Sequence, residues 1–355
     1  MLEDCRNEID RIDGEIVRLL NERAGFAQKI GNIKKEAKAP IYVPEREKEV
    51  KDKLTALNDG PLPDGAVHAI YREVISAMIA LERPISVAFL GPRDTFSHMA
   101  AVEVFGGSAK YHPFPSFADI FTEVERGRID YGIVPVESSM GGSVSDTQDR
   151  FISSDLKIIN EMMLHITQNL LSNTTLDGIK RVYSKDNALL QCRGWLRANV
   201  PTAELIETSS TAEAARRATN EDGAAAIASK MAASTYNLNL LAERIEDAPH
   251  NFTRFLVLGR QIVKPSGDDK TSLMVSIKDK PGALYSLLTP FSEDDIPLPL
   301  IDSRPSQKKA WEYVFFIDLL CHVDDDRVRT VLDHLEEQVH SLKVLGSFPR
   351  ARAIY

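Results

Sequence analysis

RNEIDRIDGEIVRLLNERAGFAQKIGNIK, residues 6–34, decides how the first part of this chain folds. Its apolar positions Ile9, Ile12, Ile16, Leu19, Ala27 and Ile30 advance by threes and fours, and Arg23 and Lys34 fall into the same series. The period is helical, so cations lie on the apolar face. Eleven positions separate Arg23 from Lys34, roughly 16 Å along a helix axis. Two long side chains can converge from that distance on one small acid. A single arginine at the edge of a packed face usually only snorkels to water. Arg6, Arg23 and Lys34 together, with Arg46, Glu47 and Glu82 further on, point instead to an anionic ligand.

Around this helix the pattern stays helical to about Arg83. One helix runs to about Lys35, a loop holds Pro40 and Pro44, a second helix starts near Glu45, and LNDGPLPDG at 57–65 breaks the chain before a third from about Asp64. Three helices with one very long member enclose little core, so the long helix is expected to pair with its copy in a homodimer. From Ile85 short apolar runs alternate with helix-like stretches. SVAFL, YGIVPV, KRVYS and AAAIAS are the clearest strands. That is α/β organisation, and its length suits two lobes with ligand loops at the strand ends. After the polar linker KPSGDDK at 264–270 come TSLMVSI, GALYSLLTPF, PLIDSR, WEYVFFIDLL, DRVRTVLDHLEEQV and SLKVLGSF. These read strand, helix, strand, strand, helix, strand, the ferredoxin-like βαββαβ order. The expected domains are 1–84 (all-α), 85–263 (two-lobed α/β) and 270–355.

Composition narrows the function. The 355 residues carry a formal charge of −9 with mixed signs, which argues against nucleic-acid or membrane-surface binding, since either needs a concentrated basic face. Glu3, Asp4, Glu8 and Asp10 stand where a secretory leader would be basic and then apolar, and no apolar run reaches membrane length. A cytoplasmic protein is expected. Cys5, Cys192 and Cys321 are odd in number and far apart, which disfavours a disulfide framework. The eight histidines show no metal-ligand spacing.

The first segment resembles the all-helical chorismate mutases, through Arg6, Arg23 and Lys34 on the long helix, PEREKEV with Arg46-Glu47, and REVISAMIALE ending at Glu82. The resemblance implies a Claisen rearrangement of chorismate to prephenate without a cofactor. Arg6, from the partner chain, and Arg23 would hold carboxylates, Lys34 the ether oxygen, and Glu47 the substrate hydroxyl, with Arg46 beside it. Glu82 stands where the family has Gln or Glu. A carboxylate there would repel the developing negative charge, so Glu82 has to be protonated to donate a hydrogen bond, and activity is expected to fall as pH rises. Val43 replaces a frequent acid and Met78 a small hydroxyl residue.

VAFLGPRDTFSHMAA (87–101), VPVESSMGGSV (134–144), VYSKDNALLQC (182–192), SSTAEAA (209–215) and HNFTRFLVLG (250–259) occur in the order seen in prephenate dehydratases. Taken alone, Ser210 with Glu213 reads as a helix capping box, and Cys192 as a buried core cysteine. The resemblance implies that Thr253 helps hydroxide leave and that Arg254 holds a substrate carboxylate. Thr95, Ser97, Glu137, Ser138, Ser139, Gly142, Gln191, Ser210, Thr211 and Phe255 would line the cleft. The family usually reads GPEGTFS where this chain has Arg93-Asp94, Glu-Asn-Ser where it has Glu137-Ser138-Ser139, and Ser-His-Pro-Gln where it has Ser184-Lys185-Asp186-Asn187.

GALYSLL and IDSRP followed by WEYVFFIDL resemble the regulatory ACT domain that ends such bifunctional enzymes. This implies an effector, L-phenylalanine, bound by Gly282, Ala283, Leu284, Asp302, Ser303 and Arg304, with Asp302 in place of the family's usual Glu. The leading expectation is a homodimer that takes chorismate to phenylpyruvate under feedback inhibition. Three alternatives remain open for the middle segment: a prephenate decarboxylase, an arogenate dehydratase, or a non-catalytic ligand sensor.

Overall fold

The computed structural model describes residues 1–277, 280–305 and 313–352, which divide into two compact units. The first comprises Met1–Ser86 with Val104–Lys110. Its helices are α1 (Leu2–Glu36), α2 (Pro44–Leu57) and α3 (Asp64–Glu82). Proline at the first position of α2 suits a helix start, since its missing N–H would have had no partner there. No residue of α1 is buried within the chain. The stripe expected from the sequence is therefore uncovered, with Ile9, Ile12, Ile16, Leu19 and Ile30 all exposed.

The second unit comprises Val87–Glu103 and Tyr111–Tyr355. Its chain passes through β1 (Ser86–Leu90), α4 (Phe96–Phe105), β2 (Lys110–Phe114), α5 (Phe117–Glu125), β3 (Tyr131–Ser138), β4 (Gly142–Ser143), α6 (Ser145–Phe151) and β5 (Lys157–His165). It then crosses into a second sheet through β6 (Asn169–Ser172), β7 (Arg181–Ser184), α7 (Asp186–Gln191), α8 (Arg193–Asn199), β8 (Glu204–Glu207), α9 (Thr211–Thr219), β9 (Ala224–Ala228), α10 (Lys230–Thr235) and β10 (Asn239–Ala242). β11 (Phe252–Gly259) returns to the first sheet, whose order is β2-β1-β3-β11-β5, while the second runs β10-β6-β9-β7-β8. Two lobes result, joined by residues 166–168 and 243–251. Alanines set the spacing in the second lobe. Ala214, Ala215 and Ala218 of α9 and Ala224, Ala226 and Ala228 of β9 are buried in one cluster, so helix and sheet approach closely. Ser210 caps α9 by accepting the Glu213 N–H at 3.1 Å, as the capping box requires. Cys192 is fully buried, in the state its sequence setting suggested.

The chain ends in β12 (Asp269–Ser276), α11 (Ala283–Glu293), β13 (Leu300–Pro305), β14 (Tyr313–Leu319), α12 (Asp326–Gln338) and β15 (Ser341–Pro349). They form the expected β-α-β-β-α-β succession, with antiparallel strand order β13-β14-β12-β15. Trp311 and Glu312, placed by the sequence at the start of a strand, lie outside the described residues.

This third sheet has its own core around Leu287, Phe291, Val328 and Leu335, yet it is continuous with the first lobe. Met274, Val314, Phe316, Leu345 and Phe348 share a cluster with Ala88, Phe121, Phe151 and Leu256. Charges complete the junction. Arg254 of β11, 5% exposed, meets Glu161 of β5 at 2.7 Å and Asp318 of β14 at 2.5 Å, and Lys270 of β12 meets Glu161 at 2.8 Å. Burial works against ionising Glu161, but the Arg254 and Lys270 cations hold its carboxyl below the usual range. Backbones also touch, because a Cβ placed on Gly346 of β15 would come within 2.1 Å of the Ile158 carbonyl oxygen of β5. No helix among the described residues is long and apolar enough to cross a membrane.

Neither strand can yield at that contact without breaking its own ladder. Gly346→Ala is therefore expected to destabilise the second unit by about 1–3 kcal/mol, read from the midpoint of denaturant unfolding. An unchanged midpoint would contradict this packing.

Candidate active sites

In the helical unit Arg23 and Lys34 are half-buried on α1. Lys34 donates from Nζ to the Ile41 carbonyl oxygen at 2.8 Å, fastening the helix end to the loop before α2. Glu82 reaches the same end. A Cβ on Gly31 would fall 2.6 Å from Glu82 Cγ, so the glycine leaves room for the Glu82 side chain, and Gly31 and Lys34 are neighbours on one helix face. Glu47 stands at the start of α2. Burial pushes its carboxyl up to about 7, against the pull of Lys51 and then Lys34. Arg46 is exposed and paired with Glu49 at 2.5 Å. It does not join this group. Arg6 is also remote: α1 is unbroken, so Arg6 and Lys34 lie roughly 42 Å apart along its axis. They cannot serve one small ligand within one chain.

In the two-lobed segment Thr253 stands on β11 between Ser138 of β3 and Leu164 of β5. Residues opposite each other on paired strands point to the same face, so Ser138, which replaces the family's amide, shares a face with Thr253. Their sequence neighbours turn the other way. Arg254 is opposite Glu137 and Met163, and its guanidinium is held by Glu161 and Asp318. The carboxylate-binding role expected for Arg254 does not fit this geometry, because strand alternation puts it on the face away from Thr253. Glu137 goes with it. Phe255 is about 2% exposed and belongs to the interior.

The loop after β3 is fixed by Ser139. Its hydroxyl accepts the Phe252 N–H at 2.9 Å and donates to the His250 carbonyl oxygen at 3.0 Å, so it is occupied rather than open to replace the missing amide. Gly142 takes a left-handed φ of 70°, as a glycine readily does. Thr95 donates to the Leu90 and Pro92 carbonyl oxygens, each at 3.1 Å, and Ser97 is buried in the first turn of α4. Asp94 has φ 67°, which explains why a glycine suits this position in the family and why a short polar side chain can replace it. Its carbonyl accepts from Ser229 Oγ at 3.2 Å, linking the two lobes. Ser210 and Thr211 open α9. Ser184, first of the altered Ser-Lys-Asp-Asn run, is buried and donates to the Ile227 carbonyl at 2.8 Å.

Gln191 closes α7, and its Oε1 accepts from Gln168 Nε2 at 3.1 Å and from Asn251 Nδ2 at 3.0 Å. The sequence reading singled out neither partner. The signal available was their place in polar runs between strands, HITQN and HNFTRF, which is weak by itself.

In the last sheet Gly282 adopts φ 80° at the start of α11, with nothing among the described residues beyond its chain neighbours within 4 Å of where its Cβ would be, and Ala283 and Leu284 follow in the first turn. Asp302 and Arg304 lie on β13 against α6. Asp302 Oδ2 accepts from Gln148 Nε2 at 2.7 Å, and Arg304 pairs with Asp149 at 3.4 Å. Partial burial raises the Asp302 carboxyl, but hydrogen bonds from Ser143 and Gln148 bring it below its ordinary value. Ser303, between them, is exposed.

Comparison with known proteins assigns a family to each of these segments. The chorismate mutase type II family matches residues 5–83 and the prephenate dehydratase family residues 87–262. The bifunctional chorismate mutase/prephenate dehydratase of Aquifex aeolicus (strain VF5) is 50% identical over 355 residues, covering 99% of this chain and 98% of that one. The protein of the same description from Stutzerimonas stutzeri is 44% identical over 357 residues, covering 99% and 98%. Among solved structures, prephenate dehydratase from Arthrobacter aurescens in complex with L-Phe superposes with a TM-score of 0.71 at 34% identity, covering 75% of this chain and 90% of that one. With both family matches and full-length relatives on one polypeptide, this chain belongs to the bifunctional chorismate mutase/prephenate dehydratase family.

Proposed function

We propose that this chain carries chorismate through two reactions, rearranging it to prephenate on the helical unit and converting prephenate to phenylpyruvate between the lobes. The placement of Thr253 beside Ser138 on one face of the first sheet carries this reading of the cleft. In the second reaction the ring carboxylate leaves as CO2, the electrons of its C–C bond enter the ring, and hydroxide departs as the ring becomes aromatic. Thr253 donates a hydrogen bond to that oxygen, and a positioned hydroxyl suffices because aromatisation supplies the driving force. Gln191, Ser138 and residues at the start of α9 orient prephenate.

On the helical unit Arg23 holds a carboxylate, Lys34 and Glu82 face the ether oxygen, and Glu47 accepts from the substrate hydroxyl. Arg6 completes the site from a second copy, so the working form is a homodimer. The uncovered apolar stripe of α1 and the distance from Arg6 to Lys34 support this. The functional domains are 1–84, 85–263 and 270–355, and the last is an ACT-type regulatory domain with L-phenylalanine as effector at Gly282-Ala283-Leu284. The strand and helix order of the third sheet and the L-Phe complex of the Arthrobacter protein support that reading. The free thiols Cys5, Cys192 and Cys321 suit the cytoplasm.

Purified protein given chorismate, or prephenate in parallel, is expected to form phenylpyruvate in both cases, less so with L-phenylalanine. Chorismate consumption that stops at prephenate would remove the second reaction. Thr253→Ala should lower dehydratase kcat by about 100-fold or more while the mutase rate is unchanged; a full dehydratase rate would end the Thr253 assignment. For the mutase, the ionised Glu47 acceptor forms only as pH rises through about 7. kcat/KM for chorismate should therefore climb between about pH 6 and 8, and Glu47→Gln should abolish the climb. A wild-type profile with no rising limb would overturn the role given to Glu47.

A further inference from the structure

We propose that Gln168 and Asn251, one on each chain crossing between the lobes, are positioning residues that turn the Gln191 carboxamide so that its NH2 group faces prephenate. The proposal rests on the reading that Gln191 meets the substrate. Gln168 ends the first crossing, between β5 and β6, and Asn251 ends the second, just before β11. Both are at least 97% buried. Each aims an amide N–H at the same atom, Gln191 Oε1, at 3.1 and 3.0 Å. A carbonyl oxygen has two lone pairs, and both are now engaged. Among the described residues the Gln191 NH2 group has no hydrogen-bond acceptor, so toward a ligand Gln191 acts only as a donor. That polarity suits a carboxylate or a departing hydroxide.

The crossings themselves are fixed. The Gln168 N–H donates to Glu246 Oε2 at 2.9 Å, and the Ile166 N–H to the Asn251 carbonyl at 2.8 Å. The two amides thus project from backbone that is tied across the crossings. Asn251 also stands two residues before Thr253, linking Gln191 to the strand that carries the hydroxide-facing hydroxyl. Stability alone gives no reason for the cluster. Gln168 Oε1 is buried without a hydrogen-bond partner, an arrangement that costs free energy relative to an apolar side chain of similar shape.

The test is steady-state dehydratase kinetics with prephenate on the full chain, with a thermal melt of each variant. Asn251→Ala and Gln191→Ala should each raise KM about tenfold, and the double variant should be no worse than either alone, because the two changes remove one interaction. Asn251→Asp supplies the readout that a merely structural role would not move. Its carboxylate accepts but does not donate, so Gln191 should reverse and offer oxygen to the substrate, raising KM beyond that of Asn251→Ala. Gln168→Leu, at the other crossing, should raise KM with an undiminished melting temperature and serves if the Asn251 variants fail to fold. Multiplying effects in the double variant, or lowered melting temperatures with unchanged KM, would overturn the proposal. An unchanged Gln191→Ala enzyme would instead overturn the underlying reading of Gln191.

Discussion

A buried guanidinium organises the second unit. Arg254 sits where water cannot solvate it, and an isolated charge there would cost several kcal/mol or more. Its partners come from separate stretches of chain: Glu161 on β5 and Asp318 on β14, with Lys270 on β12 also paired to Glu161. Such a cluster adds less net stability than its short distances suggest, because desolvation offsets most of the attraction. Its stronger effect is on uniqueness. A register slip of one residue on β11 would send Arg254 to the opposite face and bring Thr253 into the junction, so the pairing that satisfies Arg254 also fixes where the Thr253 hydroxyl points.

Much of the architecture was legible in the sequence because it is local. The 3–4 spacing of α1, the start of α2 at Pro44, the short apolar runs and the final β-α-β-β-α-β order all follow from periodicity and breakers. The site was legible more unevenly. Thr253 and Gln191 came from motif resemblance. Arg254 was read into the cleft because motifs are lists of adjacent residues, whereas a strand sends adjacent residues to opposite faces; the alternation was present in HNFTRFLVLG and would have separated the two. The carboxylates that claim Arg254 were not legible, since neither Glu161 nor Asp318 is near it in sequence. Asp302 and Arg304 illustrate the same limit, with their partners on α6 set by the packing of one sheet on another lobe.

The helical unit presents the opposite case, in which the sequence predicted a covered face and the chain by itself leaves that face exposed. A continuous helix is rigid over its length, so α1 cannot fold back to bring Arg6 to Lys34. Glycine at position 31 works on a smaller scale. It lets the Glu82 chain lie close to α1, so a carboxyl group and an ammonium group from different helices reach one end of the unit.

The close approach of Gly346 to Ile158 also bears on how this chain could be rearranged by recombination. Modules joined by flexible tethers can be exchanged like beads, but a segment whose backbone is seated on its neighbour cannot. Cutting at KPSGDDK would leave Arg254 without Asp318, strip the cover from Met274's neighbours, and expose a strand shaped to receive a glycine. The last segment therefore belongs to the fold of the middle one as well as following it in sequence. A chimera that swaps it would have to bring along a glycine opposite Ile158 and an acid opposite Arg254.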